Sequence, residues 1–391
     1  MPPIRRRMVA RDLGEPHRVS SPLELLFDLT FVAAVSQVAG RFAHAVADGH
    51  VGDAVAPFLM VFFAIWWAWM NFTWFASAYD TDDVPYRIMT FVQMAGVLLL
   101  AAGVPDAFDG DFTTVTIGYL VMRAGLVSLW LRAAAAHPEG RATALRYAAG
   151  VAFLQVLWLS RLALPDGDGG PWVFIFLVVL ELSVPPIAER PRMTTWHPHH
   201  IAERYGLFTI ILLGESVLAA TNAVQDSVEH GLNADLVVIA LAGLAILFTL
   251  WWIYFSEPAG EGLAARRDWS FAWGYGHYLV FAALAALGAG LEVAVVSTGE
   301  IHAGAHTVVA TVAVPIAVFL VMLWALHAPM RRTAVRPELI TTTAVLVLLT
   351  IFAAPGIGIA ASLTVIAALL VLLLTTTLAR GQGRNAPQTE Q

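Results

Sequence analysis

The sequence contains no cysteine and no lysine, and only 13% of its residues are charged. Without cysteine there is no disulfide, thiol nucleophile, thiolate metal site or iron–sulfur cluster. A soluble domain carries about a quarter charged residues, so this chain has too few to cover a surface in water. Together with an apolar share of 58%, this indicates a membrane protein, and no polar stretch is long enough to form an extramembrane enzyme domain.

Long apolar runs predict an all-α fold, a polytopic bundle of about twelve transmembrane helices. A helix needs about 20 mostly apolar residues to cross the hydrocarbon layer. Runs of this kind cover residues 22–46, 54–77, 86–106, 112–135, 143–164, 170–187, 204–224, 233–256, 270–295, 303–327, 338–354 and 356–378. The eleventh run is the shortest because Pro355 and Gly356 follow it.

Arginine, the basic residue at all 22 positions, follows an alternating pattern along the chain. It occurs in the N-terminal tail and in every second loop: Arg5, Arg6, Arg7, Arg11 and Arg18, then Arg132, Arg141 and Arg146, then Arg190 and Arg192, then Arg266 and Arg267, then Arg331, Arg332 and Arg336, and finally Arg380 and Arg384. The opposite loops carry acids: Asp48, Asp53, Asp106, Asp109, Asp111, Asp166, Asp168, Asp226, Glu229 and Asp235. Cytoplasmic loops are rich in basic residues, so both termini are predicted in the cytoplasm. We interpret 1–21 as a retained basic tail, not a signal peptide, and 379–391 as a disordered tail.

An internal repeat is suggested by two aromatic segments. A shift of about 185 positions brings the segment at Trp66 over the one at Trp251, and the first span over the seventh. This predicts two like-oriented six-helix repeats, 22–190 and 191–378, with a site between them. The alternative is that the tryptophan pairs belong to the aromatic belts at the membrane surfaces.

Charged residues within the apolar runs are the first candidates for function. Glu24 and Asp28 are four residues apart, so a helix starting at Pro22 presents both on one face. Glu24 alone could be a first-turn acid favoured by the helix dipole. Asp28 lies deeper, where an ionisable group is functional unless a partner neutralises it. Arg123, in the middle of the fourth span, also needs an acidic partner, and we expect Asp28 or Glu215.

The start of the seventh span places further polar residues on one stripe. His200, Arg204 and Glu215 fall close together on a helical projection, with Glu203 adjacent, so Arg204 could pair with a buried acid or an anionic ligand. The histidines at 197, 199 and 200 do not predict a metal site, because Pro198 interrupts the helix between them. His277 is expected to face the same interior, whereas Gly288 and Gly290 are expected to permit close helix contact.

An acidic loop follows an aromatic segment at the end of the second span. Asp80, Asp82 and Asp83 replace the basic residues expected in a cytoplasmic loop, and Arg87 follows them. One of these acids could cap the third helix before Pro85, but this accounts for only one of the three. Crowded carboxylates raise one another's pKa, so one acid is expected to stay protonated and act as a general acid. Aromatic side chains that could stabilise a nearby cation are Trp66, Trp67, Trp69, Trp74, Tyr79, Trp251, Trp252 and Tyr254.

Four segments resemble the bacterial low temperature requirement protein A family. They begin with Ser21-Pro-Leu-Glu24-Leu-Leu-Phe-Asp28, and continue with Tyr79-Asp-Thr-Asp-Asp-Val-Pro-Tyr-Arg87, His200-Ile-Ala-Glu-Arg204 through Gly214-Glu215-Ser216, and Gly276-His277-Tyr278 with the later Gly288-Ala-Gly290-Leu-Glu292. The resemblance covers nearly the whole chain and implies a multi-pass protein of the bacterial inner membrane. The family name records a cold-growth phenotype and supplies no molecular activity.

Three functions remain open from the sequence. The first is an intramembrane enzyme that protonates and cyclises a prenylated or other lipidic substrate, since Asp80-Thr81-Asp82-Asp83 is similar to the Asp-x-Asp-Asp motif of terpenoid cyclases. In that motif the central aspartate, here Asp82, donates the proton. The second is a proton-coupled transporter of an organic solute, and the third is a non-catalytic membrane protein for growth at low temperature. We expect the bilayer and a small hydrophobic or amphipathic molecule as partners, with no cofactor, metal or nucleic acid.

Overall fold

The computed structural model describes residues 4–12, 14–15, 19–164, 170–229, 233–256, 259–298, 301–330 and 337–384, and all regular structure within them is helical. The helices are α1 (Pro22–Ala47), α2 (Val51–Tyr79), α3 (Val84–Ala102), α4 (Val104–Phe108), α5 (Thr113–Ala136), α6 (Arg141–Arg161), α7 (Gly170–Ala188), α8 (Pro198–Glu229), α9 (Ala234–Phe255), α10 (Ala259–Ala265), α11 (Ser270–Val296), α12 (Ala305–His327), α13 (Pro337–Ile357) and α14 (Ile359–Arg384). Twelve helices in the described ranges are long and apolar enough to cross a membrane. The predicted all-α transmembrane bundle is confirmed.

Helix boundaries follow local capping signals. At α1, the Ser21 hydroxyl accepts a hydrogen bond from the Glu24 N–H, and the Glu24 carboxylate accepts one from the Ser21 N–H at 2.8 Å. This reciprocal pair is a capping box. Asp83 caps α3 by accepting from the Tyr86 N–H, and Pro85 occupies the first turn, where its missing N–H costs nothing.

The eleventh predicted span is longer than the sequence suggested. Its helix α13 runs from Pro337 to Ile357 and therefore passes through Pro355. A proline in the last turn removes one backbone hydrogen bond without ending the helix at that residue. The helix ends before Gly358, whose φ of +83° is readily adopted by glycine.

The chain forms two compact units. The first comprises Met1–Arg41 and Asp53–Phe208, and the second comprises Phe42–Gly52 and Thr209–Gln391. In the first unit α3 packs on α5, α5 on α6, and α6 on α7. In the second unit α11 packs on α12, α12 on α13, α13 on α14, and α14 on α9. The six-helix repeats 22–190 and 191–378 and the positions of the termini stay predictions. Several loop residues used for that orientation, among them Asp166, Asp168, Arg331, Arg332 and Arg336, lie outside the described residues.

Glycine allows α11 and α12 to approach closely. A Cβ atom on Gly290 would lie 2.4 Å from the Thr311 carbonyl oxygen, which belongs to the backbone of α12. Real Cβ atoms do not tolerate such a distance, so the two helices would have to move apart. The expectation that Gly290 serves helix contact agrees with this geometry.

We predict that Gly290→Ala destabilises the second unit by about 1–3 kcal/mol, as overpacking of a filled interior does. Gly40→Ala is the matched control, because the Cβ that it adds to α1 has nothing within 4 Å apart from the neighbouring residues and backbone of the same helix. Thermal unfolding of the purified variants in detergent, followed by circular dichroism, measures the difference. Equal unfolding temperatures for the two variants would contradict the close contact.

Candidate functional site

A buried cluster of four ionisable side chains lies in the first unit, and we call it the Arg204 centre: Glu24, Asp28, His200 and Arg204. Helix α1 presents Glu24 and Asp28 one turn apart, and the first turns of α8 present His200 and Arg204 in the same way. Each of the four is at most 1% exposed. Burial of four such groups in membrane-spanning helices requires that they satisfy one another.

The guanidinium of Arg204 joins the two acids. Its Nε donates to Asp28 Oδ2 at 3.1 Å, and its Nη2 donates to Asp28 Oδ1, so the pair is bidentate. The Nη1 atom lies 3.1 Å from Glu24 Oε1. A bidentate arginine–carboxylate pair fixes both the direction and the distance of the two groups, which locks α1 against α8 at this level.

The imidazole of His200 contacts the same carboxylate oxygen. His200 Nε2 lies 3.1 Å from Glu24 Oε1. Arginine keeps its charge at all relevant pH values, whereas histidine and glutamate both titrate. The short contact therefore joins two groups, an imidazole and a carboxyl, that are each able to bind a proton.

Aromatic side chains enclose Asp28. The Trp69 indole N–H donates to Asp28 Oδ1 at 2.7 Å. The Trp69 ring stacks on Phe208 with centroids 4.3 Å apart and meets Tyr205 edge-on at 5.0 Å. Asp28 thus has a tryptophan donor as well as an arginine. The sequence placed Asp28 and Trp69 among the candidates, but gave no sign that they touch.

Glu215 and Glu203 have contacts other than the ion pairs of the Arg204 centre. Glu215 falls in the second unit, is 8% exposed and interacts electrostatically with Glu292 of α11. Glu203 accepts a hydrogen bond from the Ser20 N–H at 3.3 Å. The acids that Arg204 contacts come from α1, so of the predicted stripe only His200 and Arg204 share a site.

The predicted partner of Arg123 was wrong. Arg123 pairs with Glu181 of α7, with 3.3 Å between Nη2 and Oε2, and not with Asp28 or Glu215. Glu181 also accepts from the indoles of Trp67 at 2.7 Å and Trp158 at 3.1 Å. Sequence reasoning missed Glu181, although the rule that intramembrane acids are functional applies to it, since it is the one acid in the apolar run 170–187.

The loop acids Asp80, Asp82 and Asp83 each contact a different arginine. Asp80 pairs with Arg11 at 3.3 Å, and Asp82 accepts two hydrogen bonds from Arg87, at 2.8 and 3.1 Å. Asp82 has a φ of +44°, a conformation that aspartate tolerates better than most residues. These contacts hold the loop to its neighbours.

Asp83 has the most partners of the three. It accepts two hydrogen bonds from the Arg132 guanidinium, and others from the backbone N–H groups of Arg6 and Tyr86. Burial opposes ionisation of Asp83, but these four hydrogen bonds outweigh it and lower its pKa below the ordinary value. The expectation that crowding keeps an acid protonated is therefore wrong for Asp83.

The two aromatic segments, at Trp66 and at Trp251, differ in burial. Trp66, Trp67 and Trp69 are at most 1% exposed, whereas Trp251 and Trp252 are 46% and 50% exposed. This exposure fits the alternative of a membrane-surface belt, and the role of Trp251 and Trp252 in a site stays a prediction. The two tryptophan pairs differ in burial because the helices that pack around each pair determine whether its side chains are covered.

The remaining aromatic candidates have polar partners. The Trp74 indole donates to the Tyr205 hydroxyl at 3.0 Å, and the Tyr79 hydroxyl is 3.1 Å from His137 Nδ1. In the second unit, His277 Nδ1 donates to the Trp273 carbonyl at 2.7 Å, which leaves Nε2 to accept from the Tyr254 hydroxyl at 3.4 Å. In the described part of the chain, no three His, Asp or Glu side chains are grouped as a metal site would require.

Comparison with known proteins gives the family. The sequence model of the bacterial low temperature requirement A protein, LtrA, matches residues 19–378. The chain belongs to the LtrA family. An uncharacterised protein of Rhizobium meliloti (strain 1021) is 28% identical over 269 residues, which cover 65% of this chain and 64% of that relative. The chain thus spans a little less than two thirds of the length of this relative, and no solved structure matches it. The protein is a bacterial multi-pass membrane protein.

Two of the segments that carried the LtrA resemblance meet in space. The segment at 21–28 supplies Glu24 and Asp28, and the segment at 200–204 supplies His200 and Arg204. The aromatic run before Asp80 supplies Trp69. Two of the four segments that carry the resemblance thus contribute to one buried ionic site in the first unit.

Proposed function

We propose that this LtrA-family protein is a proton-coupled carrier of an organic solute, with the Arg204 centre as its proton site. The observation that carries the proposal is the 3.1 Å contact between His200 Nε2 and Glu24 Oε1, buried in two spanning helices beside a permanent cation. Ionisable residues inside spans mark ion pathways and proton relays in transporters.

A proton changes the charge that Arg204 meets. With Glu24 ionised, the Nη1 of Arg204 faces one carboxylate while its Nε and Nη2 hold Asp28. A proton on Glu24 removes that attraction and leaves Asp28 as the remaining acid in contact with Arg204. Because Glu24 belongs to α1 and Arg204 to α8, protonation weakens one of two charge contacts between these helices. A carrier needs such a link between proton binding and helix packing.

The same contacts disfavour the cyclase alternative. A proton-donating carboxylic acid must be neutral in the resting protein. Both carboxylate oxygens of Asp82 bind Arg87, and Asp83 has a lowered pKa. The loop acids therefore hold arginines, which supports the carrier over the cyclase.

The test compares the solutes of cells with and without the gene. Cells and medium of a strain that lacks the chromosomal gene are analysed by untargeted mass spectrometry. The strain carries a plasmid with the wild-type gene, with the Glu24→Gln variant or with the His200→Gln variant, or it carries no plasmid copy. A carrier changes the ratio of a compound between cells and medium while the total stays constant, whereas an enzyme changes the total. We expect the wild-type gene to change the ratio of one compound between cells and medium relative to the strain without a plasmid copy. A protonophore should abolish this change, and neither variant should produce it.

Two further variants serve as controls. Glu139→Gln removes an exposed acid paired with Arg192 and should leave the ratio as in the wild type. Asp82→Asn separates the two functions, because it should have little effect on a carrier and abolish product formation by a cyclase. A new compound that disappears with Asp82→Asn, or a wild-type ratio in both centre variants, would refute the carrier proposal.

A further inference from the structure

A short stretch of chain ahead of α1, residues 4–12, is attached to the rest of the first unit, and we call it the docked segment. The Arg6 N–H donates to Asp83 Oδ2 at 2.7 Å, and the Arg6 carbonyl accepts from Arg132 Nη2 at 2.9 Å. Met8, two residues further along, is fully buried. The docked segment contains no helix, so these tertiary contacts give its backbone a fixed place.

The docked segment lies at the ends of two spanning helices. The Arg11 N–H donates to the carbonyl of Ala78, in the last turn of α2, at 3.1 Å. Arg7 Nε donates to the carbonyl of Ala136, the last residue of α5, at 2.9 Å. Carbonyl groups in the last turn of a helix have no partner within the helix, so both contacts satisfy such a group. The segment is therefore held at the level where α2 and α5 leave the membrane.

Three adjacent arginines of the docked segment carry exposed positive charge. The side chains of Arg5, Arg6 and Arg7 are exposed, and in the described part of the chain none of them forms an ion pair. Asp12, the acid within the segment, accepts from the Gly14 N–H at 2.9 Å. The acids of the neighbouring loop are paired with arginines outside this group, Asp80 with Arg11, Asp82 with Arg87 and Asp83 with Arg132. The three charges are thus available to a partner outside the chain.

Exposed apolar side chains flank the three arginines. Ile4 is 84% exposed and Val9 is 60% exposed. Water is an unfavourable environment for aliphatic side chains of this size. A bilayer surface supplies phosphate groups for the cations and a less polar layer beneath them for the aliphatic groups. The combination on the docked segment therefore matches the headgroup layer of a membrane.

We propose that the docked segment binds anionic phospholipids, with the guanidinium groups of Arg5, Arg6 and Arg7 on the lipid phosphates and with Ile4 and Val9 in the layer beneath. The phosphate of a zwitterionic lipid is balanced by its own ammonium group, so a net attraction requires an anionic lipid. This interaction surface is separate from the buried Arg204 centre, and binding here does not require that the centre carry protons.

Attachment of the segment favours this binding. Asp83 and Arg132 hold the two sides of the Arg6 residue, so the backbone that presents the arginines is ordered before lipid binds. Ordering in advance lowers the entropy cost of association. Asp83 thereby has a role that the charge rule for loops did not predict, because it anchors a basic segment instead of leaving its own loop basic.

The fluorescence of one introduced label tests the proposal. The chain contains no cysteine, so Val9→Cys carries an environment-sensitive nitrobenzoxadiazole group at a single position. The labelled protein is placed in nanodiscs of phosphatidylcholine that contain a rising fraction of phosphatidylglycerol. We expect the emission to shift to shorter wavelength as this fraction rises. Sodium chloride at about 1 M should reverse the shift, because the Debye length then falls to about 3 Å.

Arginine variants in the labelled background make the result decisive. Replacing one of Arg5, Arg6 and Arg7 by glutamine should raise the phosphatidylglycerol fraction that gives half of the shift by about fivefold, the contribution expected of one basic residue near an anionic surface. The triple glutamine variant should show no shift. Arg190→Gln combined with Arg192→Gln is the matched control, since it removes exposed arginines from another loop and should leave the shift as in the wild type.

Three results would overturn the proposal. The first is the same emission in nanodiscs with and without phosphatidylglycerol. The second is a triple variant that responds like the wild type. The third is an equal shift on addition of soluble polyphosphate to phosphatidylcholine nanodiscs, which would assign the arginines to a soluble acidic partner. None of these results bears on the solute ratios that test the carrier, so the two proposals can fail separately.

Discussion

Replacing Arg204 by glutamine is expected to be among the most damaging single substitutions in the chain. The change leaves Glu24 and Asp28 buried without the cation that both contact. Removing one partner of a buried ion pair costs about 3–5 kcal/mol, because the remaining charge stays out of water without compensation. Total stabilities of about 5–15 kcal/mol leave little margin for such a loss. We expect Arg204→Gln to yield aggregated protein, or folded protein with a greatly lowered unfolding temperature.

A compensated variant separates charge balance from function. Glu24→Gln and Asp28→Asn added to Arg204→Gln remove the two acids together with the cation, so no buried charge of the pair remains. We expect this triple variant to recover most of the lost stability but no proton-dependent solute gradient. Fluorescence-detected size exclusion and thermal unfolding measure the recovery. If Arg204→Gln alone is as stable as the wild type, the centre must be hydrated, and this result would contradict its burial.

The second large effect is expected at the pair of Arg123 and Glu181. Glu181→Gln leaves Arg123 as an uncompensated buried cation, and Arg123→Gln leaves the carboxylate with the two tryptophan donors alone. Each single variant should lose about 3–5 kcal/mol. The double variant should lose much less than the sum, since it contains no unpaired charge.

Denaturant unfolding of the four proteins measures the coupling. Residues in direct contact give interaction energies of about 0.5–3 kcal/mol in such a cycle. Coupling at or above the top of that range is expected, because the pair is 2% exposed on both sides. Additive losses would mean that Arg123 and Glu181 act independently, and would refute the contact.

The membrane architecture was accessible from the sequence because it depends on run length. Twelve apolar runs gave twelve spanning helices, and Glu24 and Asp28 share a face because they are one turn apart. Periodicity identifies the face of a helix that carries charge, but not the helix that lies opposite. This is why Arg123 was assigned to Asp28 or Glu215, when its partner lies 58 residues further along on α7.

Neighbourhood in sequence misled at the loop acids. Asp80, Asp82 and Asp83 are adjacent, so mutual repulsion was expected to dominate. The backbone directs each carboxylate to another arginine, and one of these, Arg132, lies 49 residues away from Asp83. The sign of a pKa shift depends on these distant cations, which no local motif reveals.

Glu24 performs two tasks with its two oxygens. Oε2 accepts from the Ser21 N–H and so helps to initiate α1, while Oε1 faces His200 and Arg204. A neutral carboxyl is a weaker acceptor for an N-terminal backbone N–H than a carboxylate, because the helix dipole favours negative charge there. Any loss of negative charge at Glu24 would therefore weaken the first turn of α1 together with the contact to Arg204, so the start of this helix is tied to the charge state of the buried centre.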